Sequence, residues 1–233
     1  MSELIWGKNS VNEAIKSDRI LKAYVVSGSS YIKIFDENSI DYQIVKKINL
    51  DKMSKYANHQ GVVCEIKDYK LYDVQDMIKK ENGLIIVLDG LKDPHNLGAI
   101  LRTVDCVGAD GVIYKKHNSV KLNATAAKVS SGSIEYVKVS EVINIVHTLK
   151  MLKSAGYWVV GTDASATKSY IEQDFKMNTV LVIGSEGEGI SRLVKEECDF
   201  LVSIPLLGHV DSLNASVAAG ILMYQVLADR NKC

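Results

Sequence analysis

The first third of the chain alternates short apolar runs with polar stretches that favour helix. Val11, Ala14 and Ile15 recur at helical spacing after Asn9 and Ser10, which predicts a helix over residues 8–17. Strands are predicted over 23–26, 42–45 and 62–66, with a short helix over 50–57 between the last two. The pattern therefore predicts a small α/β unit that ends near residue 69.

After residue 82 the pattern changes to uninterrupted apolar runs followed by glycine-bearing turns and helices. Strands are predicted over 84–88, 111–114, 157–161, 179–184 and 200–204, and helices over 96–107, 142–155, 191–197 and 212–230. Apolar strands separated by helices are typical of a mostly parallel sheet. We predict a first domain over 1–69, a linker over 70–82 with an amphipathic helix at 71–80, and a second α/β domain over 83–233.

Composition does not decide which class of partner the protein binds. The 28 basic and 28 acidic residues give a net charge of zero, so any contact with nucleic acid must be local. Cys64, Cys106, Cys198 and Cys233 show neither CxxC spacing nor a His at metal-ligand spacing, which argues against a metal or redox site. Without a signal-peptide core or an apolar stretch of about 18 residues, we expect a cytoplasmic protein that makes no membrane contact.

The first of three segments with candidate chemistry joins the strand at 84–88 to the helix at 96–107. Asn96 stands where its amide could cap the helix, and Arg102 follows six residues later in an otherwise small and apolar helix. A cap and a surface arginine would explain both residues. Ligands, however, bind at the carboxyl ends of strands in open α/β sheets, which favours a functional interpretation.

The second segment is a glycine-rich loop after the apolar strand at 179–184. Gly184, Gly187 and Gly189 have the spacing GxxGxG rather than GxGxxG. Glu186 and Glu188 inside the loop would repel a pyrophosphate. The loop is therefore either a simple turn or a site for a neutral or cationic ligand.

The third segment runs from Ile204 to Asn214 and leads into the last helix. Pro205 and Gly208 shape a loop, and Asp211 or Ser212 could cap the helix. Small residues at the start of this helix could allow close packing against a neighbour or a ligand: Ala215, Ala218, Ala219 and Gly220. Taken alone, helix packing explains the segment.

Together, and in this order, the three segments resemble the motifs of the SpoU/TrmH family of RNA ribose 2′-O-methyltransferases, within the SPOUT class. Residues 7–15 resemble the start of the small RNA-binding domain, similar to ribosomal protein L30e, that many members carry, and the Ser/Gly-rich turn at 128–135 also has a counterpart. The resemblance implies an α/β protein in which a parallel-sheet domain with a trefoil knot follows the L30e-like domain. It also implies S-adenosylmethionine as cofactor and a homodimer with the site near the subunit interface.

The resemblance assigns the site residues. The polar functional residues would be Asn96, Arg102, Glu186, Ser212 and Asn214, while Gly184, Ile204 and Leu213 would hold S-adenosylmethionine.

The family suggests Arg102 as the group that activates the hydroxyl, but a guanidinium, with a pKa above about 12, is a poor proton acceptor. Two roles stay open: deprotonation in a shielded site, or a charged group that binds the flanking phosphate and stabilises a developing alkoxide. Asn96 would orient Arg102, Ser212 and Asn214 would position the ribose or Arg102, and Glu186 would order its loop.

The L30e-like domain and the form of residues 208–214 resemble the branch that modifies a guanosine in the peptidyl-transferase region of 23S rRNA, so this substrate is preferred to tRNA. One alternative is a non-catalytic RNA-binding or ribosome-assembly protein with the same fold. Another is a Rossmann-type methyltransferase or dehydrogenase, but no GxG follows Asp89.

Overall fold

The computed structural model describes residues 3–230. The strands are β1 Glu3–Trp6, β2 Ile20–Val25, β3 Tyr42–Ile44, β4 Val62–Ile66, β5 Leu84–Asp89, β6 Gly111–Lys115, β7 Val139–Val142, β8 Trp158–Thr162, β9 Thr179–Gly184 and β10 Phe200–Val202. The helices are α1 Lys8–Lys16, α2 Tyr31–Glu37, α3 Lys47–Met53, α4 Pro94–Val107, α5 Ala124–Val129, α6 Ile145–Ser154, α7 Arg192–Glu196 and α8 Ala215–Arg230. They fall into two compact units.

The first unit is built on a four-stranded sheet of order β1-β4-β2-β3. β4 runs antiparallel to both β1 and β2, whereas β3 is parallel to β2. The helix predicted at 8–17 is confirmed as α1, which buries Val11 and Ala14 against this sheet. β1 and α2 were not predicted.

The second unit is built on six parallel strands in the order β10-β8-β9-β5-β6-β7. β5 and β9 lie at its centre and are buried at every position, which explains their uninterrupted apolar sequences. The predicted parallel α/β sheet is confirmed. In the register of the two strands, Asp89 stands opposite Gly184, so their carboxyl ends meet. The trefoil knot stays a prediction.

The helix predicted over 71–80 is wrong, since only a 3-10 turn forms there, over Val74–Met77. Tertiary partners take the backbone donors on either side of it. The amide of Tyr72 donates to the carbonyl of Val139 at 2.9 Å, and the amide of Lys79 donates to the Tyr157 hydroxyl at 2.9 Å. An amphipathic pattern does not make a helix when these partners compete for its amides.

The predicted boundary near residue 69 needs one correction. The first unit comprises the residues up to Lys70 together with Leu122–Tyr136, a segment that was assigned to the second domain. α5 packs on β1, and the carboxylate of Glu3 accepts from the amide of Ala124 at 2.6 Å. Because of these contacts, residues 122–136 belong to the first unit.

Among residues 3–230, no helix combines the length and apolar character needed to span a bilayer. The same part of the chain holds no group of three His, Cys, Asp or Glu side chains able to bind a metal ion.

Candidate active site

The turn after β5 places Asn96 inside α4 rather than at its end. Asp93 caps the helix, because its Oδ1 accepts from the amide of His95 at 2.9 Å, and Pro94 is the first helical residue. The amide and ring of His95 lower the pKa of Asp93. The prediction that Asn96 caps the helix is wrong; its amide group, in a residue only 5% exposed, is available for other partners.

Those partners are Glu186 and Asn214. The Nδ2 of Asn96 donates to Oε1 of Glu186 at 2.9 Å, and the Nδ2 of Asn214 reaches the same oxygen at 2.6 Å. Asn214 also donates to Oδ1 of Asn96 at 2.8 Å. We call these three residues the polar triangle; it joins α4, the loop after β9 and the start of α8.

Asn214 has a second function as the N-cap of α8. Its Oδ1 accepts from the amides of Ser216 at 3.0 Å and Val217 at 3.3 Å. The predicted caps, Asp211 and Ser212, are wrong because the helix begins at Ala215. The side-chain amide of Asn214 is therefore held by hydrogen bonds at both its nitrogen and its oxygen.

The glycine-rich loop folds tightly over the end of β9. Ser185 and Gly189 exchange two backbone hydrogen bonds, each 3.0 Å long. A side chain at Gly184 would collide with the backbone of Gly189 and Ile190, so only glycine permits this approach. The amide of Ser191 then donates to Oδ2 of Asp89 at 2.7 Å, which ties the end of the loop to β5.

A cavity opens beside this loop at the carboxyl ends of β8, β9 and β10. The predicted cofactor residues Gly184, Ile204 and Leu213 line it, as does Ser212. The other lining residues include Thr162, Asp163, Ile183, Ser185, Glu186, Val202, Leu206, Asp211, Ala215 and Ala218. We call it the apolar cavity because most of its wall is aliphatic.

A second cleft lies on the other side of the polar triangle. It is lined by Gly90, Leu91, Lys92, Asp93, Asn96, Ser185, Glu186 and Glu188. Ser185 and Glu186 line both spaces, so Glu186 stands at the boundary between them. We call this second space the polar cleft.

Asp163, which follows β8 at the edge of the apolar cavity, was not predicted from the sequence. A hydrogen bond from Lys195, then those from Ser165, lower the pKa of Asp163 to about 2. Its carboxylate accepts from the amide of Ser165 at 2.8 Å. Its position in the sequence could have indicated a role, because Asp163 comes just after a predicted strand and ligands bind at the carboxyl ends of strands in open α/β sheets.

The structure does not bring Arg102 into this arrangement. Its side chain is exposed on α4, and within the described residues it forms no hydrogen bond or ion pair and lines neither the apolar cavity nor the polar cleft. Seven of the eight predicted site residues therefore gather around these two spaces, and Arg102 stays apart from them in a single chain.

Comparison with known proteins identifies the family of the chain. Residues 83–224 match the model of the SpoU rRNA Methylase family, and residues 4–72 match the family described as RNA 2′-O ribose methyltransferase substrate binding. The TrmH family tRNA/rRNA methyltransferase YacO of Bacillus subtilis is 44% identical, over 98% of this chain and 96% of its own.

Solved structures share the fold. The SpoU methyltransferase AviRb from Streptomyces viridochromogenes, in complex with the cofactor AdoMet, superposes with a TM-score of 0.87 at 23% identity, over 99% of this chain and 91% of its own. The TrmH/SpoU tRNA modifying enzyme of A. aeolicus superposes with a TM-score of 0.60 at 34% identity, over 67% of this chain and 79% of its own. The chain belongs to the SpoU rRNA methylase family, and it is an RNA methyltransferase.

Proposed function

We propose that the protein transfers the methyl group of S-adenosylmethionine to a ribose 2′-hydroxyl of RNA, with a guanosine of 23S rRNA as substrate in preference to tRNA. The observation that carries the proposal is the polar triangle, which stands between an apolar cavity and a polar cleft. One space suits a cofactor and the other a ribose, and the triangle would align the two.

The residues of the apolar cavity fit S-adenosylmethionine. Ile204, Leu206 and Leu213 offer aliphatic walls for an adenine ring, and the loop after Gly184 exposes backbone groups for its polar edge. The carboxylates of Asp163 and Asp211 suit a ligand that carries positive charge. Bound there, S-adenosylmethionine would supply a methyl group on a cationic sulfur, which becomes a neutral thioether when the ribose oxygen takes the methyl group.

The polar triangle would position the ribose. Asn96 is buried and engaged on both sides of its amide, so its orientation is fixed before any ligand binds. Oε1 of Glu186 accepts hydrogen bonds from the amides of Asn96 and Asn214. This supports a role for Glu186 in ordering its loop rather than in accepting the proton. Ser212, exposed at the rim of the cavity, would contact the RNA.

Arg102 would act as a charged group. Its exposure supports the second of the two roles considered, in which the guanidinium binds the phosphate beside the target and stabilises negative charge on the ribose oxygen. The hydroxyl proton would then leave to solvent.

A homodimer would account for the separation of Arg102 from the triangle. α8 packs on α4 and exposes the apolar Val217 and Tyr224. We expect a second copy to cover this region, which would bring Arg102 to the subunit boundary. Analytical ultracentrifugation should give twice the chain mass, and a monomer at micromolar concentration would contradict this arrangement.

The substrate can be tested directly. Incubation with tritiated S-adenosylmethionine and either undermodified 23S rRNA or undermodified tRNA, followed by mapping of reverse-transcriptase stops, should place the label on one ribose of 23S rRNA. Label on tRNA alone would contradict the preferred substrate. Label on a base would contradict the reaction.

For Arg102→Ala we expect methyl transfer to fall by at least about 100-fold, because an interaction with developing charge is lost. Binding of S-adenosylmethionine should be unchanged, since Arg102 does not line the apolar cavity. The matched control is Arg192→Ala, which removes another exposed arginine. Single-turnover methylation and calorimetry would measure the two effects, and unchanged turnover would remove Arg102 from the mechanism.

A further inference from the structure

Several cations of the second unit have acidic partners. Lys150 pairs with Glu197 at 3.2 Å and Lys153 with Asp199 at 2.7 Å, both from α6. On α7, Arg192 pairs with Glu196. These pairs neutralise one another and leave little field outside the protein.

Four lysines lie together at the carboxyl ends of β5 and β6. Lys92, Lys115, Lys116 and Lys121 are exposed, and none of them has an acidic partner among residues 3–230. We call this group the basic edge. The sequence reinforces it, because no Asp or Glu occurs between Gly111 and Ile134.

The basic edge is held in a defined position. The loop after β6 is fixed on one side by the amide of Lys116, which donates to the carbonyl of Val142 at 2.9 Å. On the other side the amide of Val120 and the hydroxyl of Ser119 donate to the carbonyl of Leu91 at 2.7 and 3.2 Å. The loop is therefore anchored to the turn that contains Lys92.

This anchoring links the basic edge to the candidate active site. Lys92 lines the polar cleft together with Asn96 and Glu186. Lys115 lines a further cleft with Ile143 and Leu193, whose side chains are exposed. Positive charge thus continues from the polar cleft along the loop after β6. Four acids lie beside this route. Asp93, which is engaged by His95, lines the polar cleft with Glu186 and Glu188, and Asp89, which accepts from the amide of Ser191, lines the cleft of Lys115.

We propose that the basic edge binds the phosphate backbone of the RNA strand that flanks the target nucleotide. This inference rests on the proposed function, because it takes RNA as the partner. Lysines without acidic partners bind phosphates as point charges and release condensed counterions, without reading sequence. In a chain of zero net charge, such a local surface can supply the electrostatic attraction that composition does not.

The test compares two double variants of equal charge. Lys115→Gln with Lys116→Gln removes half of the basic edge. Lys80→Gln with Lys176→Gln removes two lysines that are exposed and lack acidic partners in the described chain, and that lie before β5 and β9 at the opposite edge of the sheet. The probe is 23S rRNA transcribed in vitro, and filter binding is measured over a range of salt concentrations.

For the basic-edge variant we expect the slope of log K against log salt to become shallower by about 1.4, at about 0.7 per phosphate contact. Affinity should fall roughly tenfold at 0.1 M salt. The control variant should keep the slope and affinity of the wild type. Calorimetric binding of S-adenosylmethionine should be unchanged in both variants, and methyl transfer should be unchanged in the control variant.

Equal slopes for the two variants would overturn the proposal, as would wild-type protein that does not bind this RNA. If the slope changes as expected but the wild-type protein transfers no methyl group, the basic edge stands as an RNA surface and the proposed function fails. If the wild-type protein transfers a methyl group but the basic-edge variant keeps the salt slope of the wild type, the proposed function stands and the basic edge is not an RNA surface.

Discussion

At the scale of single residues, the candidate site depends on an amide that donates and accepts at once. Asn96 donates to Glu186 and accepts from Asn214, and it is buried. An unpaired buried polar group costs about 1–3 kcal/mol. Aspartate has the same size but no donor, so it isolates the contribution of that one hydrogen bond.

We expect Asn96→Asp to lower methyl transfer at least about tenfold at pH 8, because its carboxylate would face Glu186. Two carboxylates at this distance raise the pKa of one of them. Activity should therefore recover partly as the pH falls from 8 towards 5 and a proton restores the donor. Single-turnover rates across this range would measure the recovery.

The control for this pH dependence is Asn96→Ala, which removes the amide without adding a carboxylate. It should be impaired at every pH and should show no recovery beyond that of the wild type. Identical pH profiles for the aspartate and alanine variants would contradict the role given to the Asn96–Glu186 hydrogen bond.

Residues of the site differ in how far sequence could predict them. Asn96, Glu186 and Asn214 were predicted because their motifs resemble a family, and no pattern of hydropathy would have brought three residues from distant segments together. Asp163 was missed because a lone aspartate after a strand resembles any turn residue. Arg102 was predicted by its motif, yet its position apart from the triangle depends on the packing of α4.

At the scale of elements, the local pattern of apolar and polar residues predicted the central strands. It failed where residues distant in sequence bind the backbone groups that a predicted helix would use. β9 is confirmed over 179–184 because a strand buried on both faces must be apolar throughout. The predicted helix at 142–155 begins only at Ile145, because Val142 pairs in β7 and Asn144 caps α6. β1 has only four residues, and its pairing with β4 depends on a strand some 60 residues away.

The glycine-rich loop gives a sharp test at this scale. For Gly184→Ala we expect the loop to move away from β9, because the added methyl group would meet the backbone of Gly189 and Ile190. Affinity for S-adenosylmethionine should fall at least about tenfold, since the loop forms one wall of the apolar cavity. Calorimetric titration would measure the loss.

The matched control is Gly220→Ala in α8, where an added methyl group meets nothing within 4 Å. It should leave cofactor affinity unchanged and raise the free energy of unfolding by up to about 1 kcal/mol, because alanine favours helix. Equal affinity for the wild type and Gly184→Ala would contradict the close approach seen in the structure.

The pair formed by Asp163 and Lys195 predicts a pH dependence of stability. The pKa of Asp163 is lowered to about 2, first by Lys195 and then by Ser165, from an ordinary value near 3.8. A lowered pKa stabilises the fold above the unfolded value, and this contribution is lost as the pH falls towards 2.

Between pH 6 and pH 3, Lys195→Gln should therefore lose less stability than the wild type, by on the order of 1 kcal/mol after screening by solvent. Urea unfolding followed by the fluorescence of Trp158, in a Trp6→Phe background, would measure the difference. Lys150→Gln, which breaks the exposed pair with Glu197, is the control and should follow the wild type. Equal losses for all three proteins would contradict the assignment.

At the scale of the whole molecule, the division into two units follows contacts that no local pattern contains. The segment 122–136 lies within the sequence of the second domain but packs with the first unit. Glu135 and Arg19 form an ion pair whose side chains are only 5% and 10% exposed. Arg19 also donates to the carbonyl of Lys67 at 2.6 Å and stacks on the ring of Tyr69. A domain boundary predicted from sequence patterns cannot show that residues 122–136 pack with the first unit.

The two tryptophans allow this division to be tested, because Trp6 lies in the first unit and Trp158 in the second. Removing one partner of a buried ion pair costs about 3 kcal/mol, since the other charge stays buried. Glu135→Gln should therefore shift the urea unfolding transition reported by Trp6, in a Trp158→Phe background, to lower urea. The transition reported by Trp158, in a Trp6→Phe background, should shift much less.

Glu141→Gln provides the opposite case, because Glu141 lies in the second unit and accepts from the Tyr114 hydroxyl at 2.9 Å. Its effect should be seen mainly by Trp158. If Glu135→Gln instead moved the Trp158 transition more than the Trp6 transition, residues 122–136 would belong energetically to the second unit, and a single boundary near residue 70 would describe the molecule better. The expected pattern follows from charge burial, because the side chain of Arg19 has no other carboxylate within hydrogen-bonding distance among the described residues.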